Sequence, residues 1–405
     1  MQVGNVAEAG ARSLLKRLLL AFCVSLAPSA AQAAEIAIGY IHPQKRPIAL
    51  SLLDRAPADL GVAGAEVAIA DNNTTGRFTG QEYSLAAIGV EGQEAALAAV
   101  ETLAESGVSF ILAELAADDL LAVADAAAAH DMLVFNIGAP DDRLRTDECR
   151  ADIVHIAPSR AMLADALAQF LAWKKWPRWF LVHGSHDSDK LFAAALERAA
   201  ARFGARIVET RVFEDTGGAR TTDSGHVQVQ RQLPVFLQDA PEHDVVVVAD
   251  ENEVFGAYVP YNVWDPRPVV GSAGLVPTAW SPAHEQWGAI QLQNRFADAV
   301  GRPMRNEDML AWMAVRAVGE AATRSASTEP GPIRDYILGD DFELAAFKGQ
   351  ALSLRDWNQQ LRQPILLTNN RTVVSVSPQE GFLHPTSFLD TLGYDRPESR
   401  CQLGE

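Results

Sequence analysis

The sequence predicts an α/β protein in which two doubly wound, mostly parallel sheets follow one another along the chain. Short apolar runs alternate with amphipathic helical patterns about every dozen residues, which is typical of βαβ units with right-handed crossovers. The alternation pauses near Cys149 and then restarts. With 405 residues, 48% of them hydrophobic, the chain is long enough to fill about two cores.

The first half begins at Glu35 and contains four predicted strands: EIAIGYI, YSLAAIGV, VSFILA and MLVFNIG. Three helical segments separate them: LGVAGAEVAIADNN, residues 93–106 and DDLLAVADAAAAH. In the second helix Leu97, Val100 and Leu103 recur at the spacing of one helical face. We therefore expect one parallel sheet from this half.

The second half repeats the alternation with the strands IVHIA, RWFLVHG, ARIVETRVF, HDVVVVAD and RPVVGSAG. Its first helix starts after Ser159, which predicts an N-cap, and its second ends at Gly204. Further helices are predicted through Leu233 and around Glu253. The C-terminal third predicts helices near 284–300 and 306–325, followed by strand-like segments from FKGQALSL onward.

The N-terminus has the three-part pattern of a secretory signal peptide. Arg12, Lys16 and Arg17 precede the apolar run LLLAFCVSLA, and Ala31-Gln32-Ala33 forms a small-residue cleavage signal. This run of about ten apolar residues is too short to span a bilayer. We predict that residues 1–33 are removed and that a periplasmic chain without a membrane span remains; a retained anchor helix is the alternative.

The charge excludes two classes of partner. The net charge is −18 and becomes −20 without the signal segment, which carries three basic residues and one acid. A chain this acidic repels nucleic acids and anionic membrane surfaces.

Two cysteines, Cys149 and Cys401, remain after cleavage. An even number in an oxidising compartment predicts one disulfide, and two free thiols are the alternative. Neither cysteine has a second Cys or a His at the spacing of metal ligands, so a metal pair is not expected.

The sequence lacks the common catalytic motifs. It has no phosphate-binding loop and no G-x-G-x-x-G after its first strand. The segment His183 to Asp187 lacks the closing glycine of a G-x-S-x-G elbow, and Gly288 replaces the second histidine of an H-E-x-x-H pattern. We predict a binding protein with no catalytic residues and no cofactor.

Candidate ligand-binding residues follow the strands, because parallel sheets bind ligands beyond their carboxyl ends. They are Glu114, Leu115, Ala116, Asp118, Asn136, Gly138, Ala139 and Asp141 in the first half, and His183, Ser185, Asp187, Asp250 and Glu251 in the second.

The acids in these loops have two interpretations. Asp118, Asp141 and Asp142 stand near predicted helix starts, where carboxylates cap free N–H groups, and this is the preferred interpretation. Alternatively, the three acids hold a hard metal ion, with help from Asp187 or Asp250.

Three segments resemble the type I periplasmic binding proteins of the branched-chain amino acid ABC transporter class. LGVAGAEVAIADNNTTGRFTGQ is similar to their first helix and glycine turn, IGAPDDRLR stands where they carry a Thr-Pro-Ala loop, and FKGQALSLRDWNQQLRQPILL is similar to their closing segment. The resemblance covers nearly the whole mature chain. It implies a soluble protein that closes on a small molecule and delivers it to a membrane permease.

The resemblance implies two lobes joined by three chain crossings that act as a hinge. The first lobe is expected to contain residues 34–155 and 275–345, and the second residues 156–274 and 346–405. The crossings are expected near 153–158, 272–280 and 345–355.

The sequence departs from this class where its members hold the carboxylate of an amino acid with side-chain hydroxyls. Leu115-Ala116-Ala117 and Gly138-Ala139-Pro140 stand there instead, close to Asp118, Asp141 and Asp142. Unscreened acids would repel a carboxylate. We therefore predict that the ligand is not an ordinary α-amino acid.

The IADNNTTGRF run, Cys149 with the terminal ESRC, and RQPILL resemble a narrower group. Its members are ABC substrate-binding proteins associated with pyrroloquinoline-quinone (PQQ)-dependent alcohol dehydrogenase systems. This resemblance implies uptake or sensing linked to alcohol oxidation. The first alternative is an accessory protein of the dehydrogenase system that docks a partner or binds a metal ion; the second is an enzyme with an unfamiliar site.

Overall fold

The computed structural model of the chain describes residues 34–46, 55–215, 225–369 and 371–403. The predicted signal peptide, residues 1–33, lies outside the described residues. No helix in the described ranges is long and apolar enough to cross a membrane.

The first sheet contains five strands in the order β2-β1-β3-β4-β5. The strands are β1 (Ala34–Pro43), β2 (Gln81–Val90), β3 (Phe110–Ala113), β4 (Leu133–Asn136) and β5 (Ile153–His155). The accompanying helices are α1 (Val62–Thr79), α2 (Gln93–Glu105) and α3 (Ala117–Ala128). β1, β3, β4 and β5 pair in parallel, and β3 and β4 are buried along their whole length, as expected for strands covered on both faces.

The second sheet is also parallel and has the strand order β7-β6-β8-β9. Its strands are β6 (Arg178–Gly184), β7 (Arg206–Phe213), β8 (Val245–Ala249) and β9 (Val269–Gly271), and its helices are α4 (Arg160–Trp173), α5 (Asp187–Arg202) and α6 (Gly225–Leu237). The sequence prediction of two successive parallel sheets is confirmed, except that the strand IVHIA, expected to start the second half, is β5 and pairs with β4 in the first sheet.

The C-terminal third adds smaller elements. Its helices are α7 (Ala289–Val300), α8 (Asn306–Ser325) and α9 (Pro330–Leu338). A three-stranded antiparallel sheet joins β10 (Val276–Thr278), β13 (Ile365–Thr368) and β14 (Val373–Ser377), and a hairpin joins β11 (Leu344–Ala345) to β12 (Ala351–Leu352). α9 was not predicted from the sequence, and α7 starts five residues later than predicted.

The helix predicted around Glu253 was wrong. The chain there forms turns and a short 3₁₀ helix at Gly256–Tyr261. The cause is Asp250, whose carboxylate accepts hydrogen bonds from the backbone N–H groups of Val254, Phe255 and Gly256 and so holds the segment as a tight turn.

Each parallel sheet has a hydrophobic cluster on both faces, and the clusters locate the crossings between the lobes. Ala157 packs with the first lobe and Met162 with the second. Leu275 packs against the core of the second lobe, and Ala279 lies in the core of the first. The first crossing therefore lies at 157–162, beside the expected 153–158, and the second lies at 275–279, within the expected 272–280.

The third crossing differs from the expectation of 345–355. Ala346, Leu352 and Leu361 pack in the core of the first lobe, whereas Ile365 packs in the second. Leu344 and Leu352 of the β11–β12 hairpin are buried in the same core, so we place this crossing at 361–365. The other lobe boundaries remain a prediction.

The predicted disulfide joins Cys149 to Cys401, with the two Cα atoms 5.6 Å apart. Neighbouring polar contacts hold the C-terminal tail in the same place. Arg400 forms an ion pair with Asp147, and the Ser399 hydroxyl donates a hydrogen bond to the carbonyl of Arg145. The tail is thereby fixed beside the segment 145–149, which follows β4.

Replacing both cysteines by serine is expected to destabilise the protein. The bridge closes a loop across a sequence separation of 252 residues, and its loss should lower the free energy of unfolding by about 2–5 kcal/mol because the unfolded chain gains freedom. Guanidinium unfolding with and without reductant measures the effect, and the Cys149→Ser/Cys401→Ser variant is the control that reductant should not change. An unfolding midpoint of the unaltered protein that is indifferent to reductant would contradict the expectation.

Candidate functional site

The loops that follow β3 and β4 touch one another. An added Cβ at Gly138 would lie 2.9 Å from the backbone nitrogen of Leu115, so only glycine permits this approach. The buried Asn136 amide shapes the turn, because it accepts from the N–H groups of Gly138 and Ala139 and donates to the Ala139 carbonyl. Together with the exposed Ala116, these loops form the first wall of the candidate site.

Glu114 lies beneath this wall in a buried cluster. The Tyr40 hydroxyl donates to its carboxylate at 2.6 Å, and the Arg46 guanidinium forms an ion pair with it. Burial raises the pKa of Tyr40 well above its usual value, and the charge of Glu114 adds to this effect. Glu114 therefore organises the interior of the first lobe, and its carboxylate already has two partners.

Arg160, which the sequence analysis did not single out, connects the two walls. It begins α4, and its side chain is only 6% exposed. Its Nη2 lies 2.7 Å from Glu251 Oε2 in the second lobe, and its Nη1 lies 2.9 Å from Asp141 Oδ2 in the first. The Nη1 contact is an ion pair without hydrogen-bond geometry. The Arg160 guanidinium therefore links Asp141 to Glu251, two of the predicted site residues. Nothing in the sequence around Arg160 indicates this role.

The remaining first-wall acids have separate partners. Asp142 accepts a hydrogen bond from the backbone N–H of Ala161 at the start of α4, which supports the capping interpretation. Burial raises the pKa of Asp142 above its usual value. Asp118 is exposed and forms an ion pair with Arg143.

Within the described ranges, no group of three or more His, Cys, Asp or Glu residues converges as a metal site. The alternative of a metal ion held by Asp118, Asp141 and Asp142 therefore has no support in the geometry. The pairing also weakens the expected repulsion of a carboxylate, because arginines neutralise Asp118 and Asp141.

The second wall follows β6 and β8. His183 is half-buried, with its Nδ1 2.7 Å from the carbonyl oxygen of Gly184, and the Ser185 hydroxyl accepts from the N–H of Asp215. Asp187 is exposed and pairs with Lys190 in the next turn of α5.

Asp250 is buried, and its carboxylate is occupied by the three N–H groups described above. Asn136 and Asp250 therefore shape the loops that carry the site, whereas Leu115, Ala116, Gly138, His183, Ser185 and Glu251 retain some exposure. The assignment of these residues to a ligand remains a prediction.

Comparison with known proteins gives one family match and many structural matches. The family described as periplasmic binding protein matches residues 35–223. A branched-chain amino acid ABC transporter ligand-binding protein from Burkholderia xenovorans has 16% sequence identity and a TM-score of 0.69, covering 91% of this chain and 100% of its own. The Leu/Ile/Val/Thr/Ala-binding protein of Brucella ovis has 14% identity and a TM-score of 0.67, covering 92% and 99%.

A third similar structure is an ABC transporter solute-binding protein from Rhodopseudomonas palustris in complex with 3,4-dihydroxybenzoic acid. It has 12% identity and a TM-score of 0.62, covering 82% of this chain and 92% of its own. Comparison with curated protein sequences returns no match. These likenesses show a type I periplasmic binding fold with two lobes, as the sequence predicted, and the matched proteins are binding proteins rather than enzymes.

Replacing Arg160 with methionine is expected to destabilise the protein by about 3 kcal/mol, because it leaves Asp141 and Glu251 together without their cation. Chemical unfolding measures the change. Arg396→Met is the matched control: Arg396 pairs with Asp356 at the surface, and its loss should cost less than about 1 kcal/mol. Equal effects of the two substitutions would show that the buried ion pairs do not join the walls as described.

Proposed function

We propose that this chain is the periplasmic solute-binding component of an ABC-type uptake or sensing system and that it binds a small molecule between its two lobes. The observation that carries the proposal is the meeting of the strand-end loops of both parallel sheets at Arg160, Asp141 and Glu251. Ligands of open α/β sheets bind at such edges. The match to the periplasmic binding protein family over residues 35–223 supports the same function.

The ligand in this proposal is not an ordinary α-amino acid. The first-wall segments Leu115-Ala116-Ala117 and Gly138-Ala139-Pro140 carry no side-chain hydroxyl for a carboxylate. The second-wall acids Glu251 and Asp187, which could receive an ammonium group, already pair with Arg160 and Lys190. An α-amino acid would therefore have to break an existing ion pair at one end and rely on backbone donors at the other.

A ligand of another class is compatible with the fold. The similar protein from Rhodopseudomonas palustris binds 3,4-dihydroxybenzoic acid, which has no amino group. The finer hypothesis, a link to PQQ-dependent alcohol oxidation, rests on the sequence resemblance alone. The same is true of the accessory role and of a permease partner.

A thermal-shift screen of the chain without residues 1–33 tests the proposal. The probes are leucine, valine, 3,4-dihydroxybenzoate, short alcohols, aldehydes, aliphatic carboxylates, PQQ and calcium ions. We expect stabilisation by at least one non-amino-acid probe, by about 2.7 kcal/mol at a hundred times its Kd, and none by leucine or valine.

Two variants connect a positive result to the site. Arg160→Met should abolish the shift, whereas Trp264→Ala, in a surface cavity that Phe180 and His243 also line, should retain it. A shift with leucine would overturn the ligand class. A shift that survives in Arg160→Met and disappears in Trp264→Ala would place binding outside the interlobe site.

A further inference from the structure

The second lobe contains a cavity of about 310 Å³ at the sheet edge opposite the interlobe site. Its floor includes Phe180 and Val246, which pair in register near the starts of β6 and β8. The candidate residues Ser185 and Glu251 follow the other ends of the same two strands. About 13 Å of strand separates Phe180 from Gly184 at the far end of β6, so the cavity and the interlobe site do not overlap.

The sides of the cavity are largely apolar. Leu237, Ala240 and Val263 line them together with the indole of Trp264. Trp264 is 66% exposed, yet its Nε1–H donates to the Pro234 carbonyl at 2.7 Å, which holds the ring in one position. An indole held in place at a cavity offers apolar surface to a ligand and a π system to a cation. The volume is at the lower end of the range of about 300–1,000 Å³ for ligand pockets, which suits a small molecule.

The buried polar group of the cavity is a hydrogen-bond acceptor. His243 is 3% exposed, and its Nδ1 lies 2.7 Å from the Pro241 carbonyl oxygen, which can only accept. Nδ1 therefore carries a proton, and in the neutral imidazole Nε2 is the acceptor. No described residue donates a hydrogen bond to Nε2. A ligand with an N–H group would satisfy this atom.

Two acids stand at the open side of the cavity. Asp239 and Asp265 are exposed, and neither side chain has an ion-pair or hydrogen-bond partner within the described residues. Arg211, which lies beside the cavity, is paired with Glu209, and Arg267 forms no ion pair with either acid. No described lysine or arginine lines the cavity. Its charge therefore complements a cation and repels an anion.

We propose that this cavity is a second ligand site, which takes a small primary ammonium ion with an aromatic body. The aromatic body packs against Phe180, Val246 and Trp264. The ammonium group donates to His243 Nε2 and is attracted by the carboxylates of Asp239 and Asp265. The site goes beyond the proposed function, because it belongs to the second lobe alone and does not depend on closure of the two lobes.

Isothermal titration calorimetry of the unaltered chain without residues 1–33 tests the charge preference. The probes share a phenyl ring: 2-phenylethylamine is a cation near neutral pH, 2-phenylethanol is neutral and phenylacetate is an anion. We expect the amine to bind at least about tenfold more tightly than the alcohol, and the carboxylate not to bind. Raising the ionic strength from about 0.01 M to about 1 M should weaken the amine and leave the alcohol unchanged. Equal affinities for the three probes, or no binding of the amine at about 10 mM, would overturn the proposal.

Substitutions at the surface separate charge from shape. Asp239→Asn and Asp265→Asn should each weaken the amine about fivefold and leave the alcohol unchanged, because each removes one carboxylate from the cavity. Trp264→Ala should weaken both probes about tenfold. Asp298→Asn, at an exposed acid of α7, is the matched control and should change neither affinity. Amine binding that is unchanged in all three cavity variants would contradict the assignment.

NMR of the histidine side chains in the unaltered protein gives a test that needs no variant. Adding 2-phenylethylamine should shift the ¹⁵N signal of His243 Nε2, because this atom accepts a new hydrogen bond, and should leave the signals of His183 in the interlobe site unchanged. A shift of His183 without one of His243 would place the amine between the lobes and refute the second site. Failure of the ligand screen for the interlobe site leaves this result unaffected.

Discussion

The arrangement of the site depends on one constraint: the peptide groups of the first and third crossings are largely buried and must find hydrogen-bond partners. Side chains supply many of them, above all Gln360, whose amide donates to the carbonyls of His155 and Ala157, and Arg145, which donates to Ala139, Asp141, Ala157 and Gln360. These contacts tie the loop after β4 to the crossings, and so determine where the first wall lies.

The charge of the site is balanced by the same kind of long-range pairing. A sequence with many acids in its strand-end loops suggests an electronegative cleft, but Asp118, Asp141 and Glu251 each have an arginine partner. The arginines stand 25, 19 and 91 residues away from them along the chain. These loops therefore repel anions less than their composition implies. In the proposed function, selectivity rests on the small, hydroxyl-free first wall and on the pairing of Glu251.

Sequence patterns predicted much of this architecture because they reflect local rules. Continuous apolar runs such as VVVVA indicate strands covered on both faces. Ser159 indicated a helix start, and the structure confirms it: the Ser159 hydroxyl accepts a hydrogen bond from the backbone N–H of Met162. The failures also have local causes. The helix predicted near Glu253 neglected the competition of the Asp250 side chain for backbone N–H groups, and the third crossing was misplaced because a short hairpin has no distinctive periodicity.

The sequence by itself determined the class of the fold, most of its strands and helices, the cysteine pair and the absence of hydroxyls from the first wall. These features follow from spacing, composition and residue identity. Only the tertiary structure decided which polar residues face a partner, because an ion pair such as Arg160 with Glu251, or the contact of Lys348 with Ala279, joins segments far apart in sequence. Such contacts leave no periodic signal, and they exist only once both cores have formed and excluded water from the crossings.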